Sequence, residues 1–149
     1  MPQTARDYAY TRLHFRVEID GIPSASFAEV GGLDSETAVV EYRTGVYLGS
    51  SLKLPGLTKY ANIVLKRGIT KDQSLWKWRK DIVEGRVERR NGSIILMDES
   101  GNDVLRWTFR EGWPCKYEGP RLDADADANE IAIETIEIVH EGLELEGGD

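Results

Sequence analysis

The sequence predicts a mainly β protein with one helix, on the border between the all-β and α+β classes. Residues 13–20 alternate between apolar and polar side chains without error, which is typical of a half-buried strand. The apolar face of this strand consists of Leu13, Phe15, Val17 and Ile19. A second alternation sets Leu105, Trp107 and Phe109 against Arg106, Thr108 and Arg110. With the other segments, the pattern predicts seven or eight mainly antiparallel strands around the helix.

Turn residues separate these predicted strands. Asp20-Gly21 predicts a turn into a second strand at residues 23–30, which Gly31 and Gly32 end. The pair Asn91-Gly92 predicts a hairpin with a type I′ turn, because both central residues of this turn need positive φ. Residues 99–102 predict a further turn.

The C-terminal third is predicted to contain one long strand after a loop. Trp113-Pro114 is expected to end the preceding strand, and Gly119-Pro120 to open the loop. Within residues 130–140 the apolar phase changes, since Ile131 and Ile133 share one face whereas Ile136 and Ile138 share the other. This slip predicts either a β-bulge or a strand that is apolar on both faces.

One segment has the spacing of a helix. Residues 70–73 fit a capping box, because Thr70 stands three residues before Gln73. The helix is predicted to run over residues 71–84, with Gly85 at the C′ position. Its apolar stripe consists of Leu75, Trp78 and Ile82, widened by Trp76 and Val83.

The central stretch, residues 37–68, organises the rest of the chain. Two β-type segments, residues 39–43 and 60–67, flank a middle in which Pro55-Gly56 predicts a turn. This middle carries six large apolar residues, namely Val46, Tyr47, Leu48, Leu52, Leu54 and Leu57. Each stabilises by roughly 1.5–3 kcal/mol only if it is buried. We therefore expect an inter-subunit arm at residues 37–60, here called the arm.

The arm supplies the predicted contact residues, and the chain ends are expected to be less ordered. The predicted inter-subunit contacts are Val40, Tyr42, Arg43, Val46, Tyr47, Leu48, Leu52, Leu54, Pro55, Leu57 and Tyr60. Residues 1–11 are read as an N-terminal arm and residues 146–149 as a flexible tail of a single domain spanning 1–149.

The chain length of 149 residues suits a single domain, which needs no disulfide to stabilise it. The single cysteine, Cys115, has no intramolecular partner, which fits a reducing compartment. The N-terminal residues lack the apolar run of a secretory signal, and no window approaches the ~18 apolar residues of a membrane span. We expect a soluble protein made in the cytoplasm.

The net charge of −7 is unevenly distributed. Residues 123–149 hold ten acidic residues and no Lys or Arg, whereas the remainder holds 16 acidic and 19 basic residues. Nine basic residues lie within residues 66–90. Two readings stay open: a solvated acidic tail beside a solvated basic helix, or a dipolar subunit whose acidic end meets the basic face of a neighbour.

Catalytic patterns are missing from the sequence. It contains no HExxH, paired CxxC, GxSxG or P-loop motif, and Cys115 has no base marked by the sequence. His14 and His140 are both read as surface histidines. We predict neither an enzyme nor a cofactor. The acidic composition also argues against nucleic-acid binding through residues 66–90.

One motif resembles a calcium loop. Asp123, Asp125 and Asp127 have the spacing of the first ligands, and Glu134 stands where the bidentate glutamate would lie. Ala128 replaces the glycine that the sharp turn of such a loop requires, and no helix is predicted before it. We therefore predict no metal site here.

Ordered blocks of the sequence resemble a known family. The runs FRVEIDGI, FAEVGGLDSE, VVEYRTG, KLPGLTKYANIVLKRGIT and LWKWRKDI, and the ending ETIEIVHEGLEL, are similar to the tail tube proteins of contractile phages. The same family includes the inner tubes of phage-tail-like injection particles, and its fold is similar to the type VI secretion tube. The resemblance covers residues 13–145.

The resemblance implies an antiparallel β-sandwich or partial barrel with one flanking helix. Such subunits form hexameric rings that stack into a tube, with a sheath outside, baseplate and terminator proteins at the ends, and DNA or effector cargo in the lumen. It also implies that the arm reaches an adjacent ring or subunit and that the helix faces outward. The product would be a virion tail or an injection particle.

Two alternatives to the repeating tube subunit stay open. One is a baseplate-proximal ring that initiates the tube of the same machine. The other, from a different class, is a β-sandwich module that binds carbohydrate through its four Trp residues.

Overall fold

The computed structural model describes residues 14–43, 45, 51–125 and 130–147. The described residues form one helix and ten strands, more strands than the seven or eight predicted. The elements in chain order are β1 (His14–Ile19), β2 (Ile22–Ala25), β3 (Glu29–Gly31), β4 (Ser35–Tyr42), β5 (Leu52–Tyr60), β6 (Ile63–Gly68), α1 (Ser74–Val83), β7 (Arg90–Met97), β8 (Asp103–Glu118), β9 (Ile133–Val139) and β10 (Gly142–Gly147). The predicted mainly β class with one helix is confirmed.

Eight strands form one antiparallel sheet that does not close. Its order is β2-β1-β7-β8-β9-β6-β3, with β10 paired to β8 and with β2 and β3 at the two ends. The remaining strands, β4 and β5, pair only with each other. No helix among the described residues is long and apolar enough to cross a membrane.

The long strand β8 belongs to both layers of the sandwich, one formed with β2, β1, β7 and β10 and the other with β9, β6 and β3. Its first half pairs with β7 and β10, and its second half pairs with β9. At the change of partners, Glu111 adopts a φ of 55° and its N–H donates to Asn91 Oδ1 at 3.0 Å. Cys115 is the extra residue of a bulge. Trp113-Pro114 therefore does not end the strand as predicted, because Pro114 lies beside this bulge, where the ladder is already interrupted.

The core lies between the layers and beneath the helix. Trp78 and Leu75 of α1 pack on residues from both layers, and Trp78 donates its indole N–H to the Glu88 carbonyl oxygen at 2.9 Å. The other buried members are Val17, Ile19, Phe27, Ile63, Leu65, Ile94, Phe109, Ile136 and Ile138. The inward face predicted for β1 is confirmed at Phe15, Val17 and Ile19.

The hairpin predicted at Asn91-Gly92 is wrong, because both residues lie within β7. The glycine at position 92 is required by packing and not by a turn. A Cβ at this position would overlap the ring of Phe109 and lie 3.0 Å from the Glu18 carbonyl oxygen. The glycine thus makes room for a core aromatic on the neighbouring strand, a need that local sequence does not reveal. The turn predicted at residues 99–102 is confirmed, and Gly101 there has a φ of 85°.

The helix begins later than the capping box predicts. Thr70 Oγ1 accepts from the Asp72 N–H at 3.2 Å, whereas Asp72 Oδ1 accepts from the Ser74 N–H at 3.0 Å. Asp72, one residue before the N-cap Gln73, therefore satisfies one N–H of the first turn in place of Thr70. Gly85 has a φ of 87°, which confirms the predicted C-terminal glycine. The widened stripe is wrong, because Trp76 is 50% and Val83 is 68% exposed.

Two further strand predictions are corrected. Residues 23–30 contain two short strands, because β2 pairs with β1 whereas β3 pairs with β6. The last long strand contains no bulge, since β9 pairs regularly with β6. Its buried phase includes Glu134 beside Ile136 and Ile138, so a buried charge causes the change of apolar phase. The first two residues of the expected tail, Glu146 and Gly147, belong to β10.

We predict that Gly32→Ala costs more stability than Gly85→Ala. Both glycines have a φ of 87°, so an alanine suffers the same left-handed strain of roughly 1–2 kcal/mol at either position. At Gly32 the new Cβ would also overlap the Asn62 carbonyl oxygen, whereas nothing lies within 4 Å at Gly85. Urea unfolding of both variants measures the difference. Equal losses would contradict the close approach at Gly32.

Candidate subunit interface

The arm forms a two-stranded hairpin that stands apart from the sandwich. Strands β4 and β5 make up its described part, with β4 beginning two residues before it. Every residue of both strands is exposed. An isolated two-stranded hairpin is at best marginally stable in water. The described residues of the single chain do not cover the arm.

The arm has one apolar face. Directly opposite residues of an antiparallel pair lie on the same side of the hairpin. Val40 pairs with Leu54, and Tyr42 pairs with Leu52, which places four large apolar side chains together. The opposite face carries the pair Glu41 and Lys53 and, beside it, the apolar pair Val39 and Pro55. The face of four large apolar side chains is typical of a hairpin that packs on a partner.

The turn predicted at Pro55-Gly56 is wrong, because both residues lie within β5. The register shift places Gly56 and Leu57 opposite the single residue Ala38, so the pair forms a bulge. Leu57 within this bulge is 80% exposed. The predicted second β segment, residues 60–67, is in fact divided, because Tyr60 ends β5 whereas residues 63–67 lie in β6.

Most of the predicted contact residues are exposed on this hairpin. The described ones are Val40, Tyr42, Arg43, Leu52, Leu54, Pro55, Leu57 and Tyr60. Val46, Tyr47 and Leu48 lie outside the described residues. The exposed set has the composition of an interface core, but its contact with another subunit stays a prediction.

The base of the arm is anchored by a buried histidine. His140 is 9% exposed, so its prediction as a surface residue is wrong, whereas His14 is exposed as predicted. The two ring nitrogens of His140 lie 3.1 Å from the carbonyl oxygens of Gly142 and Ala61. The Tyr60 ring packs against the imidazole at 5.7 Å between centroids. The junction between β9 and β10 therefore holds the chain at the point where it leaves the arm.

A buried ionic network, which the sequence did not reveal, joins the helix to the sandwich. Arg67 is 2% and Glu134 is 4% exposed, and the guanidinium Nε donates to Glu134 Oε1. Arg67 also donates to the Asp72 carboxylate at 3.3 Å, beside the start of α1. The Tyr117 hydroxyl donates to the other Glu134 oxygen at 2.5 Å. One network thus connects β6, β8, β9 and the helix N-terminus.

This network accounts for Glu134, which stood at the glutamate position of the calcium-loop pattern. Its carboxylate lies in the core with two protein donors, whereas Asp123 and Asp125 are exposed. Asp127 and Ala128 lie outside the described residues. The described residues contain no group of three potential ligands positioned for a metal ion.

Cys115 is half-buried beside an acidic partner. Its thiol lies 3.5 Å from Glu137 Oε2. Burial, and next the hydrogen bond to Glu137, raise the pKa of the Cys115 thiol. These surroundings disfavour the thiolate, which is the reactive form of cysteine.

We predict that Tyr117 gives the protein an alkaline stability limit. Burial, followed by the hydrogen bond to Glu134, raises the pKa of Tyr117 to about 12 from 10.0. The stabilisation by the protonated phenol is therefore complete below pH 10 and is lost as pH rises to about 12. Relative to Tyr117→Phe, the native protein should lose unfolding free energy across this range, measured by urea unfolding. If the difference in unfolding free energy between the two proteins stays constant over this pH range, the raised pKa of Tyr117 is contradicted.

The fold and the arm define a class of protein. An open β-sandwich with unpaired end strands and an exposed apolar hairpin is typical of subunits that complete their structure by assembly. The sequence matches the family described as "T4-like virus tail tube protein gp19" over residues 11–144, and the chain belongs to this family. It is a tail tube protein, as the sequence blocks predicted.

Solved structures agree with the family. A chain of the extracellular contractile injection system PVC, in its sheath–tube complex in the extended state, is 26% identical with a TM-score of 0.83, covering 95% of this chain and 93% of that one. A chain of the PVC sheath/tube terminator is 28% identical with a TM-score of 0.84, covering 96% and 100%. No curated protein sequence matches the chain significantly.

The predicted likeness to the type VI secretion tube is confirmed, and it is a likeness of fold. Hcp1 from Flavobacterium johnsoniae is 18% identical with a TM-score of 0.61, covering 90% of this chain and 95% of that one. The open eight-stranded sheet and single flanking helix therefore agree with the predicted tube fold.

Proposed function

We propose that the chain is the repeating inner-tube subunit of a contractile tail or injection system, and that it forms hexameric rings which stack into a tube. The observation that carries this proposal is the arm, whose apolar face is exposed along both strands. Burying such a face in a neighbouring subunit stabilises the hairpin and the assembly together. Family membership supports a structural role over a catalytic one.

The open sheet supports closure by assembly. Strands β2 and β3 are the two end strands of the sheet, and the outer edge of β10 has no described partner strand. Unpaired edges of this kind bind other strands unless they are covered. A closed ring pairs the edges of every copy at once, and obligate contacts of this type commonly bury about 2,000 Å² or more.

The charged side chains on one face of the sheet pair with one another. This pattern suits a wall past which cargo moves. Arg16 donates to the Asp103 carboxylate at 2.8 and 2.9 Å and to Glu18 at 3.0 Å. This cluster covers Ile95, which is fully buried. Because these charges satisfy each other, the face offers DNA or protein cargo few free groups to bind. We propose it as the lumen side.

The partners follow from the assembly. The exposed side of α1, which carries Trp76 and Lys77, is proposed to face a sheath protein. The relatives come from a sheath–tube complex and a sheath/tube terminator, which supports sheath and terminator proteins as partners. Assembly is proposed to occur in the cytoplasm, before the particle is complete.

Electron microscopy of the purified protein over a range of concentrations tests the proposal. The expected result is six-fold rings that add to one another and form tubes. Monomers at all concentrations would overturn it. Single rings that never stack would favour the second candidate, a terminal or baseplate-proximal ring, since the likeness to the PVC terminator equals that to the PVC tube complex.

The carbohydrate-binding alternative receives little support from the tryptophans. Trp78 is buried in the core, and Trp107 is partly buried and packs against the core. Of the four Trp residues, only Trp76 is exposed. An exposed platform of several aromatic rings is therefore not formed.

A further inference from the structure

His140 lies in the short turn between β9 and β10, beside the point where the chain leaves the arm. Its side chain is buried and is packed between two aromatic rings. The Tyr60 ring at the end of the arm lies 5.7 Å from the imidazole, and the ring of the core residue Phe109 lies 6.0 Å from it, between centroids. The imidazole therefore connects the arm root, defined as residues 60–61, to the core of the sandwich.

Both ring nitrogens of His140 face backbone acceptors. Nδ1 lies 3.1 Å from the Gly142 carbonyl oxygen, and Nε2 lies 3.1 Å from the Ala61 carbonyl oxygen. A carbonyl oxygen only accepts hydrogen bonds, and a neutral imidazole carries a single N–H. A neutral ring can therefore donate to one of the two carbonyls, while its other nitrogen presents a lone pair to the second oxygen. The imidazolium carries two N–H groups and donates to both.

The Ala61 peptide unit joins the two strands of the arm to the sandwich. Ala61 directly follows β5, and its N–H donates to the Asp34 carbonyl oxygen at 3.0 Å, one residue before β4 begins. Its carbonyl oxygen is the group that faces His140. The chain therefore enters and leaves the arm beside one residue, and the contact with His140 ties that residue to the junction of β9 and β10.

The charged groups on the neighbouring elements are occupied elsewhere. Glu141, the next residue, accepts from Arg89 at 2.6 Å through its carboxylate. Arg110 of β8 donates to the Glu141 carbonyl oxygen at 3.4 Å, and Glu144 of β10 lines the same surface cleft as Arg110. No described residue forms an ion pair with His140. The two carbonyl oxygens are thus the polar groups that respond to the charge on its ring.

We propose that His140 is a pH-sensitive switch at the arm root. The imidazolium donates to both carbonyls and fixes Ala61 to the junction of β9 and β10, whereas the neutral ring releases one of them. Histidine is the side chain whose charge ordinarily changes between about pH 5 and 8. The arm root is therefore held at the acid end of this range and loosened at the other end. The switch belongs to the single chain and does not require the proposed function.

The contact that the neutral ring releases is the one to Ala61. Gly142 lies two residues after His140 in the same turn, so keeping that contact orders little additional chain. The contact to Ala61 joins residues 79 positions apart. Because the charged ring makes one hydrogen bond more than the neutral ring, its stabilisation of the folded chain is complete at acid pH and is lost as the pH rises.

Urea unfolding from about pH 5 to pH 8 tests the switch, because histidine titrates in this range. The chain contains two histidines, and the exposed His14 provides the matched control. Relative to His140→Phe, the native chain and His14→Phe should each lose about tenfold in the folding equilibrium constant as the pH rises, since a hydrogen bond of a charged group is lost. His140→Gln keeps a side-chain donor and does not titrate. It should behave as His140→Phe does, and it replaces that variant if the phenylalanine prevents folding.

NMR of the carbonyl carbons shows where the switch acts, in solution or, for assembled protein, in the solid state. The shift of the Ala61 carbonyl carbon should change over the same pH range in the native chain and in His14→Phe, because the carbonyl loses a hydrogen bond. The shift of the Gly142 carbonyl carbon should stay nearly constant. Neither shift should titrate in His140→Gln.

Two results would overturn the inference. One is a pH dependence of stability that is the same in the native chain and in the His140 variants, since the ring would then control nothing. The other is titration of the Gly142 carbonyl carbon while that of Ala61 stays constant, since the released contact would then lie within the turn and not at the arm root. Neither measurement depends on assembly, so a chain that forms no tubes would contradict the proposed function and leave this test intact.

Discussion

Replacing Leu54 and Leu57 with aspartate is expected to abolish ring and tube formation and to leave a folded monomer. Both side chains are exposed in the single chain, at 49% and 80%, so their loss removes little intramolecular packing beyond the cross-strand pair of Leu54 with Val40. In an assembled interface, each aspartate would place an unpaired charge in an apolar contact, at a cost of several kcal/mol for each copy. Analytical ultracentrifugation and electron microscopy measure assembly, and circular dichroism measures the fold.

The matched control for this prediction places the same chemistry outside the arm. Val83→Asp with Val87→Asp changes two residues that are 68% and 57% exposed beside the helix. That variant should form tubes as the native protein does. Assembly that survives the two leucine substitutions would show that the interface lies elsewhere on the subunit.

The second large effect concerns the buried pair of Arg67 and Glu134. Glu134→Gln should lower the free energy of unfolding by about 3–5 kcal/mol, because it removes the buried charged partner of the Arg67 guanidinium and leaves only the more exposed Asp72 carboxylate at 3.3 Å. The Tyr117 hydroxyl also loses a carboxylate acceptor. Urea unfolding of the native and variant proteins measures the difference.

Two further variants show whether the pair acts as a pair. Glu144→Gln, on an exposed position of β10, makes the same chemical change and should alter stability by no more than about 0.5 kcal/mol. Arg67→Met combined with Glu134→Leu should be more stable than Glu134→Gln, since no charge is left buried alone. A double variant less stable than the single one would show that the remaining polar groups dominate.

Sequence patterns predicted the elements whose side chains face one consistent environment. The alternation of Phe15, Val17 and Ile19 predicted β1 because one face of that strand contacts the core throughout. The helix followed from Leu75 and Trp78, which the structure buries. The apolar arm was also predicted, together with the tube family to which the chain belongs.

Patterns failed where a residue serves a distant neighbour. Gly92 is small because the Phe109 ring lies over it, and this looks the same in sequence as a hairpin glycine. Glu134 occupies a core position because Arg67 meets it from another strand. Its charge broke the apolar phase of β9 and suggested a bulge. No local window contains either partner.

The sequence by itself determined the class, the helix and the apolar arm, because these follow from the periodicity and spacing of neighbouring residues. The family followed from the resemblance of ordered sequence blocks to known members. Only the tertiary structure decided how β8 passes between the layers, and which charges are buried together. It also decided that the arm is a hairpin exposed along both of its strands. These features depend on contacts between residues that lie far apart in the chain. The free energy of such contacts is not reflected in the pattern of neighbouring residues.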